Sequence, residues 1–171
     1  MTSAHRSGFV ALVGPPNVGK STLLNRILGE KISIVSNKPQ TTREKVLGMV
    51  HTPSMELVFV DTPGLHKTHG KLSRFMNRSA ATAMRDADVI ALVIEVGHDE
   101  TNLPPSGRVM KVIEAIKHHE APVILLVNKI DQVHKPKLLP YLMNISKLHD
   151  FAEIIPISAK TGDGVEAFMS E

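Results

Sequence analysis

Short, almost wholly apolar runs alternate along the chain with segments whose apolar residues recur every three or four positions. The runs at residues 9–13, 57–60, 89–93, 123–127 and 154–157 read as strands. Their near-continuous apolarity is what strands covered on both faces of a parallel sheet require. Val46–Thr52 mixes polar and apolar positions and reads as an edge strand. Between the strands lie helical stripes: Leu23, Leu24, Ile27 and Leu28; then Leu72, Phe75, Met76, Ala80, Ala83 and Met84; then Val109, Val112, Ile113 and Ile116; then Leu138, Leu142, Ile145 and Leu148. Spacings of three and four place each set on one helix face. The order β-α-β-β-α-β-α-β-α-β-α predicts a doubly wound α/β fold. Its six-stranded, mostly parallel sheet has one antiparallel edge-side strand and helices on both faces. Ligands of such sheets bind outside the carboxyl ends of the strands.

Composition narrows the picture without choosing a function. The 171 residues suit one domain. With no cysteine, disulfides and thiolate metal sites are excluded. No apolar run approaches the roughly 20 residues that span a bilayer, and the polar first eight residues have no signal-peptide character. The expected location is cytoplasmic. A net charge of +3 permits an RNA or anionic-membrane partner but does not demand one. Residues 163–169 look like the opening turns of a final helix. The expectation is a single domain over residues 1–171 that stops within that helix.

The chemistry lies where strands give way to loops. Gly14, Pro15, Pro16, Asn17, Val18, Gly19, Lys20 and Ser21, followed by Thr22, match GxxxxGK[ST] after a strand and before a helix. A phosphate chain carries several negative charges, so it needs backbone N–H groups wrapped around it and a helix N-terminus aimed at it. Lys20 adds a point charge at the β- and γ-phosphates, and the Ser21 hydroxyl is a ligand for Mg²⁺. This motif implies a nucleoside triphosphate and leaves the base open. Asp61, Thr62, Pro63, Gly64 and Leu65 follow the second buried run. An Asp at that point holds Mg²⁺, commonly through a water, although Asp-x-Pro-Gly is also ordinary turn chemistry.

Asn128, Lys129, Ile130 and Asp131 decide the base. Guanine presents N1–H and an exocyclic amine side by side, and one carboxylate accepts both. Adenine presents a bare acceptor there. Hydrogen bonds to a charged group are worth about 1.5–3 kcal/mol each, so Asp131 selects guanine. Lys129 can lay its stem over the purine face, and Asn128 can tie this loop to the phosphate loop. The bland alternative is a helix cap with an exposed Asp131. Ser158, Ala159 and Lys160 follow the last strand, where their backbone can meet the guanine carbonyl oxygen.

Taken together, these motifs, with Pro39, Gln40, Thr41, Thr42 and Arg43 and the continuation Leu65-His66, resemble the Era family of bacterial GTPases over essentially the whole chain. The resemblance implies a P-loop G domain that binds GTP and GDP with Mg²⁺ and hydrolyses GTP slowly. It implies that Thr42, with Thr41 as runner-up, closes over Mg²⁺ and the γ-phosphate in the first switch. It also implies that Asn17 places a K⁺ ion beside the phosphates, so that Lys20, Asn17 and Thr42 form the catalytic set and Ser21, Thr42 and Asp61 the metal set. Leu65 stands where Ras-like GTPases carry the glutamine that orients water, so catalytic help must come from elsewhere. The family's partners are small-subunit ribosomal RNA and the ribosome, reached through a C-terminal KH domain. A KH fold needs a GXXG loop, and no two glycines here are three apart. Peripheral association with the inner face of the cell membrane and a monomeric state also follow from the resemblance.

A competing expectation is a nucleotide-binding interaction module with little or no GTPase activity. RNA binding by this segment itself is disfavoured by its one Tyr, five Phe and no Trp. Among the nine histidines, His66 and His69 lie three apart without a third ligand in view. The pair His118-His119 near a helix end suits the helix dipole.

Overall fold

The computed structural model describes residues 6–29, 46–52, 55–63, 71–96 and 107–171. Among the described residues twelve elements follow one another: β1 (Arg6–Val13), α1 (Lys20–Leu28), β2 (Val46–Thr52), β3 (Met55–Asp61), α2 (Lys71–Arg85), β4 (Val89–Glu95), α3 (Gly107–Ile116), β5 (Val123–Asn128), a 3-10 turn (Ile130–Gln132), α4 (Lys135–Ile145), β6 (Glu153–Pro156) and α5 (Val165–Ser170). The strands form one sheet in the order β2-β3-β1-β4-β5-β6. All neighbours are parallel except β2 and β3, which pair antiparallel with Leu47 opposite Val60 and Met49 opposite Val58. The expected doubly wound sheet with its antiparallel edge strand is therefore present.

The apolar runs alternate faces along each strand. Ala11, Val13, Ile90, Leu92, Ile94, Val123, Leu125 and Val127 point to one side and pack with Ala83 and Met84 of α2, Val109, Val112, Ile113 and Ile116 of α3, and Tyr141 and Ile145 of α4. Val10, Leu12, Ala91, Val93, Ile124 and Leu126 point to the other side and pack with Leu23 and Leu24 of α1 and Val165 and Phe168 of α5. Phe168 meets Phe59 of β3 edge to face, with ring centroids 6.3 Å apart. Both faces are covered, which is why polarity never alternates cleanly in the sequence.

Several boundaries differ from the sequence reading. β1 starts at Arg6 rather than at residue 9 because its polar opening residues still pair with β3, from Arg6 opposite Met55. Phe9 is half exposed. β6 runs Glu153–Pro156, one residue earlier than the apolar run. In α4, Tyr141 joins the stripe of Leu138, Leu142 and Ile145 as one of the largest fully buried side chains. Its hydroxyl donates to the Glu95 carbonyl at 3.4 Å.

Candidate functional site

Four loops converge at the carboxyl ends of β1, β3, β5 and β6. The first is the turn from β1 into α1. Gly14 and Gly19 have φ of +153° and +101°. A Cβ on Gly14 would run into the Val93 carbonyl, and one on Gly19 would run into the Asn128 amide. Both positions therefore need glycine for backbone shape and for space. Asn17 has φ of +65° and is exposed, whereas Val18 anchors the loop in the core. Gly14 and Pro15 are buried, and Pro16 and Thr22 are half-buried.

Lys20 opens α1 and is buried at 6 % exposure. Its Nζ donates to the carbonyls of Pro15 at 2.8 Å and Gly14 at 3.2 Å. Burial pushes the ammonium down from the ordinary 10.5 to about 8, against the attraction of Asp61, which raises it. One turn of backbone therefore carries a cation that lacks bulk hydration and faces the centre of its own loop. Beside it, Ser21 Oγ donates to Asp61 Oδ2 at 2.7 Å. Asp61 ends β3 and is fully buried. A hydroxyl and a buried carboxylate in contact are the hard oxygen donors that Mg²⁺ prefers, so this pair fits the ion. Among the described residues no group of three or more His, Asp or Glu side chains is placed to hold a metal.

Thr62 follows Asp61 at the end of β3. It is fully buried, and its hydroxyl donates to the Leu12 carbonyl at 2.7 Å. It fastens the loop after β3 to β1. Pro63 is buried beside it. Gly64, Leu65, Thr41, Thr42, His66 and His69 lie outside the described residues.

Asn128, at the end of β5, is 2 % exposed and holds two loops at once. Its Nδ2 donates to the Val18 carbonyl at 2.7 Å, and its Oδ1 accepts the Ala159 N–H at 2.9 Å. Next to it Lys129, at φ +66°, donates to the Asn17 carbonyl at 2.8 Å and pairs with Glu95 at the end of β4. Ile130 N–H donates to the Ile157 carbonyl at 3.2 Å. Asp131 lies in the short 3-10 turn, exposed, with its Oδ1 accepting the Ser158 hydroxyl at 2.7 Å. The buried Ser158 hydroxyl orients this carboxylate. Ala159 is buried and Lys160 exposed.

Two contributors, Glu95 and Arg26, escaped the sequence reading, and Ser158 was read there for its backbone alone. Glu95, which pairs with Lys129, and the Ser158 hydroxyl, which donates to Asp131, act through side-chain contacts that spacing alone does not reveal. Arg26 of α1 donates to the carbonyls of Ala159 and Lys160. Only the fold brings residues 26 and 159 together, so no local signal marks it.

The family described as 50S ribosome-binding GTPase matches residues 9–129. GTPase Era of Geotalea uraniireducens (strain Rf4) is 45% identical over 164 residues, which cover 96% of this chain and 54% of that protein. The structure of Era in complex with MgGDPNP and nucleotides 1506–1542 of 16S ribosomal RNA superposes with a TM-score of 0.89 at 37% identity, covering 97% of this chain and 55% of that one. A variant of Aquifex aeolicus Era bound to GDP and AlF4⁻ gives 0.85 at 36% identity, covering 96% and 55%. The chain spans about half the length of the curated relatives it matches.

Proposed function

The chain belongs to the 50S ribosome-binding GTPase family as a G domain of the Era type, and on that premise we propose that it binds GTP and hydrolyses it to GDP and phosphate. The observation that carries the proposal is the pair of hydrogen bonds made by Asn128. One side chain joins the phosphate loop at Val18 to the base loop at Ala159. Phosphate chemistry and base chemistry thus share one rigid unit.

The geometry supports the following division of labour. Loop N–H groups and the start of α1 receive the phosphates. Lys20 exchanges its contacts with the carbonyls of Pro15 and Gly14 for phosphate oxygens, which restore a counter-charge to its desolvated ammonium. Asp131, aimed by Ser158, accepts the two guanine donors. Ser21 and Asp61 would hold Mg²⁺, whose charge would neutralise phosphate oxygens. Asn17, on its left-handed backbone, is the residue we assign to K⁺ coordination. Water is the nucleophile, and no side chain among the described residues is placed as its base. The structure of the relative with a segment of 16S ribosomal RNA supports extending the proposal: the nucleotide state is read out on ribosomal RNA.

Phosphate release under saturating GTP tests this. The reading expects turnover that requires Mg²⁺, is lost by roughly a hundredfold in Lys20→Ala, and is faster in K⁺ than in Na⁺ at equal ionic strength. Tight GTP binding with no release under any of these conditions would instead make the chain a nucleotide-dependent binding module. Equal rates in K⁺ and Na⁺ would remove the role given to Asn17.

A further inference from the structure

α1 carries the phosphate-binding lysine at its start and a second cation in its last turn. Arg26 Nε donates to the Ala159 carbonyl at 3.1 Å, and its Nη2 donates to the Lys160 carbonyl. Gly162 lies against the same guanidinium, since a Cβ there would sit 3.8 Å from Nη1. A planar fork thus grips two successive carbonyls, the geometry for which arginine is suited and lysine is not.

The consequence follows from peptide planarity. In a trans peptide the carbonyl and the next N–H point in opposite directions. Holding the Ala159 carbonyl turns the Lys160 N–H away from Arg26. Holding the Lys160 carbonyl sets the Thr161 N–H, which donates to Ser158 Oγ at 3.2 Å. Ser158 Oγ in turn donates to Asp131 Oδ1 at 2.7 Å. Hydrogen bonds and fixed peptide planes therefore run from α1 to the carboxylate that reads the base. The Ala159 N–H is already taken by Asn128 Oδ1, so the Lys160 N–H is the donor of this loop whose direction Arg26 sets.

We propose that Arg26 is a positioning residue for guanine recognition: it locks the Ser158–Ala159–Lys160 loop in the conformation that aims Asp131 and the Lys160 N–H at the base. The proposal rests on the guanine-nucleotide reading of the site. It also makes α1 a mechanical link, with the phosphate lysine at one end and the base loop fastened to the other.

The test is the dissociation constants of GDP and IDP, measured by titration calorimetry for the parent chain, Arg26→Ala and Arg26→Lys. IDP lacks the exocyclic amine that Asp131 accepts, so the ratio of the two constants reports how well Asp131 is aimed. Arg26→Ala is expected to weaken GDP about tenfold, the loss associated with one charge-assisted hydrogen bond, and to shrink the preference for GDP over IDP about threefold. Arg26→Lys, able to reach one carbonyl, is expected to fall between. GDP binding by Arg26→Ala within about twofold of the parent, or an equal loss for GDP and IDP, would overturn the proposal. Equal loss is the signature of a residue that only fastens the fold. If the parent itself fails to bind GDP, the guanine reading falls as well. If the parent binds and the variant matches it, only the role of Arg26 falls.

Discussion

Lys20 depends strongly on its surroundings. Its ammonium is buried among loop carbonyls, with a value near 8 in the folded chain against 10.5 when unfolded. The unfolded chain therefore holds the proton more tightly. Stability is lowest, by on the order of 3 kcal/mol, below pH 8 and recovers as pH rises from about 8 to 10.5. Phosphates favour the charged form, so a nucleotide arriving above pH 8 must be accompanied by a proton. GDP affinity is expected to fall by up to about tenfold between pH 8 and 9 and to stay level between pH 7 and 7.5. Calorimetry in two buffers of different ionisation enthalpy would show the proton uptake directly. An affinity that is flat to pH 9 would mean that Lys20 keeps an ordinary lysine value. At this scale most of the site was legible. Lys20, Asn128 and Asp131 each belong to a motif whose spacing is local. Ser158 as the orienting hydroxyl, Glu95 as the partner of Lys129, and Arg26 were not legible, because each acts on a residue far away in sequence.

Among the elements, β2 shows how packing rather than polarity settles an edge. Its alternate residues divide cleanly: Leu47 and Met49 are about 60% exposed, whereas Gly48 is buried against α1. A Cβ on Gly48 would meet Leu28 Cδ1 at 2.5 Å and Leu24 Cδ1 at 2.8 Å. An alanine there can be absorbed by swinging two leucine tips, but a valine adds volume that the β2–α1 contact lacks. Gly48→Val is expected to lower stability by about 1–3 kcal/mol in urea unfolding, the usual cost of overpacking. An unchanged midpoint would show that α1 can shift, which would also weaken its role as a link between the phosphate and base loops. Val46–Thr52 was legible as an edge strand from its mixed polarity, and the stripe of α3 was legible because all four of its apolar residues are buried. The place of Tyr141 in α4 was harder to see. Its ring fills the core while its hydroxyl reaches the Glu95 carbonyl, so its polar end obscures its apolar role.

Over the whole molecule, the strand order β2-β3-β1-β4-β5-β6 explains why motifs so far apart in sequence act together. β1 pairs with both β3 and β4, placing the phosphate loop beside Asp61, and β5 beside β6 brings Asn128 to Ala159. The alternation of strands and helices predicts the class of fold, and the shared direction of parallel strands places the loops that follow them at one edge. The particular neighbours come from long-range pairing that no window of sequence contains. In the fold Asn128 holds the loop after β1 and the loop after β6 to each other, and on the proposed function base identity and phosphate binding are judged together. The most direct test of that claim is competition for labelled GDP at equilibrium with Mg²⁺ present. The account predicts that GTP displaces the label and that ATP fails to do so even at about a thousandfold excess. Displacement by ATP at concentrations comparable to GTP would contradict the guanine assignment on which the rest depends.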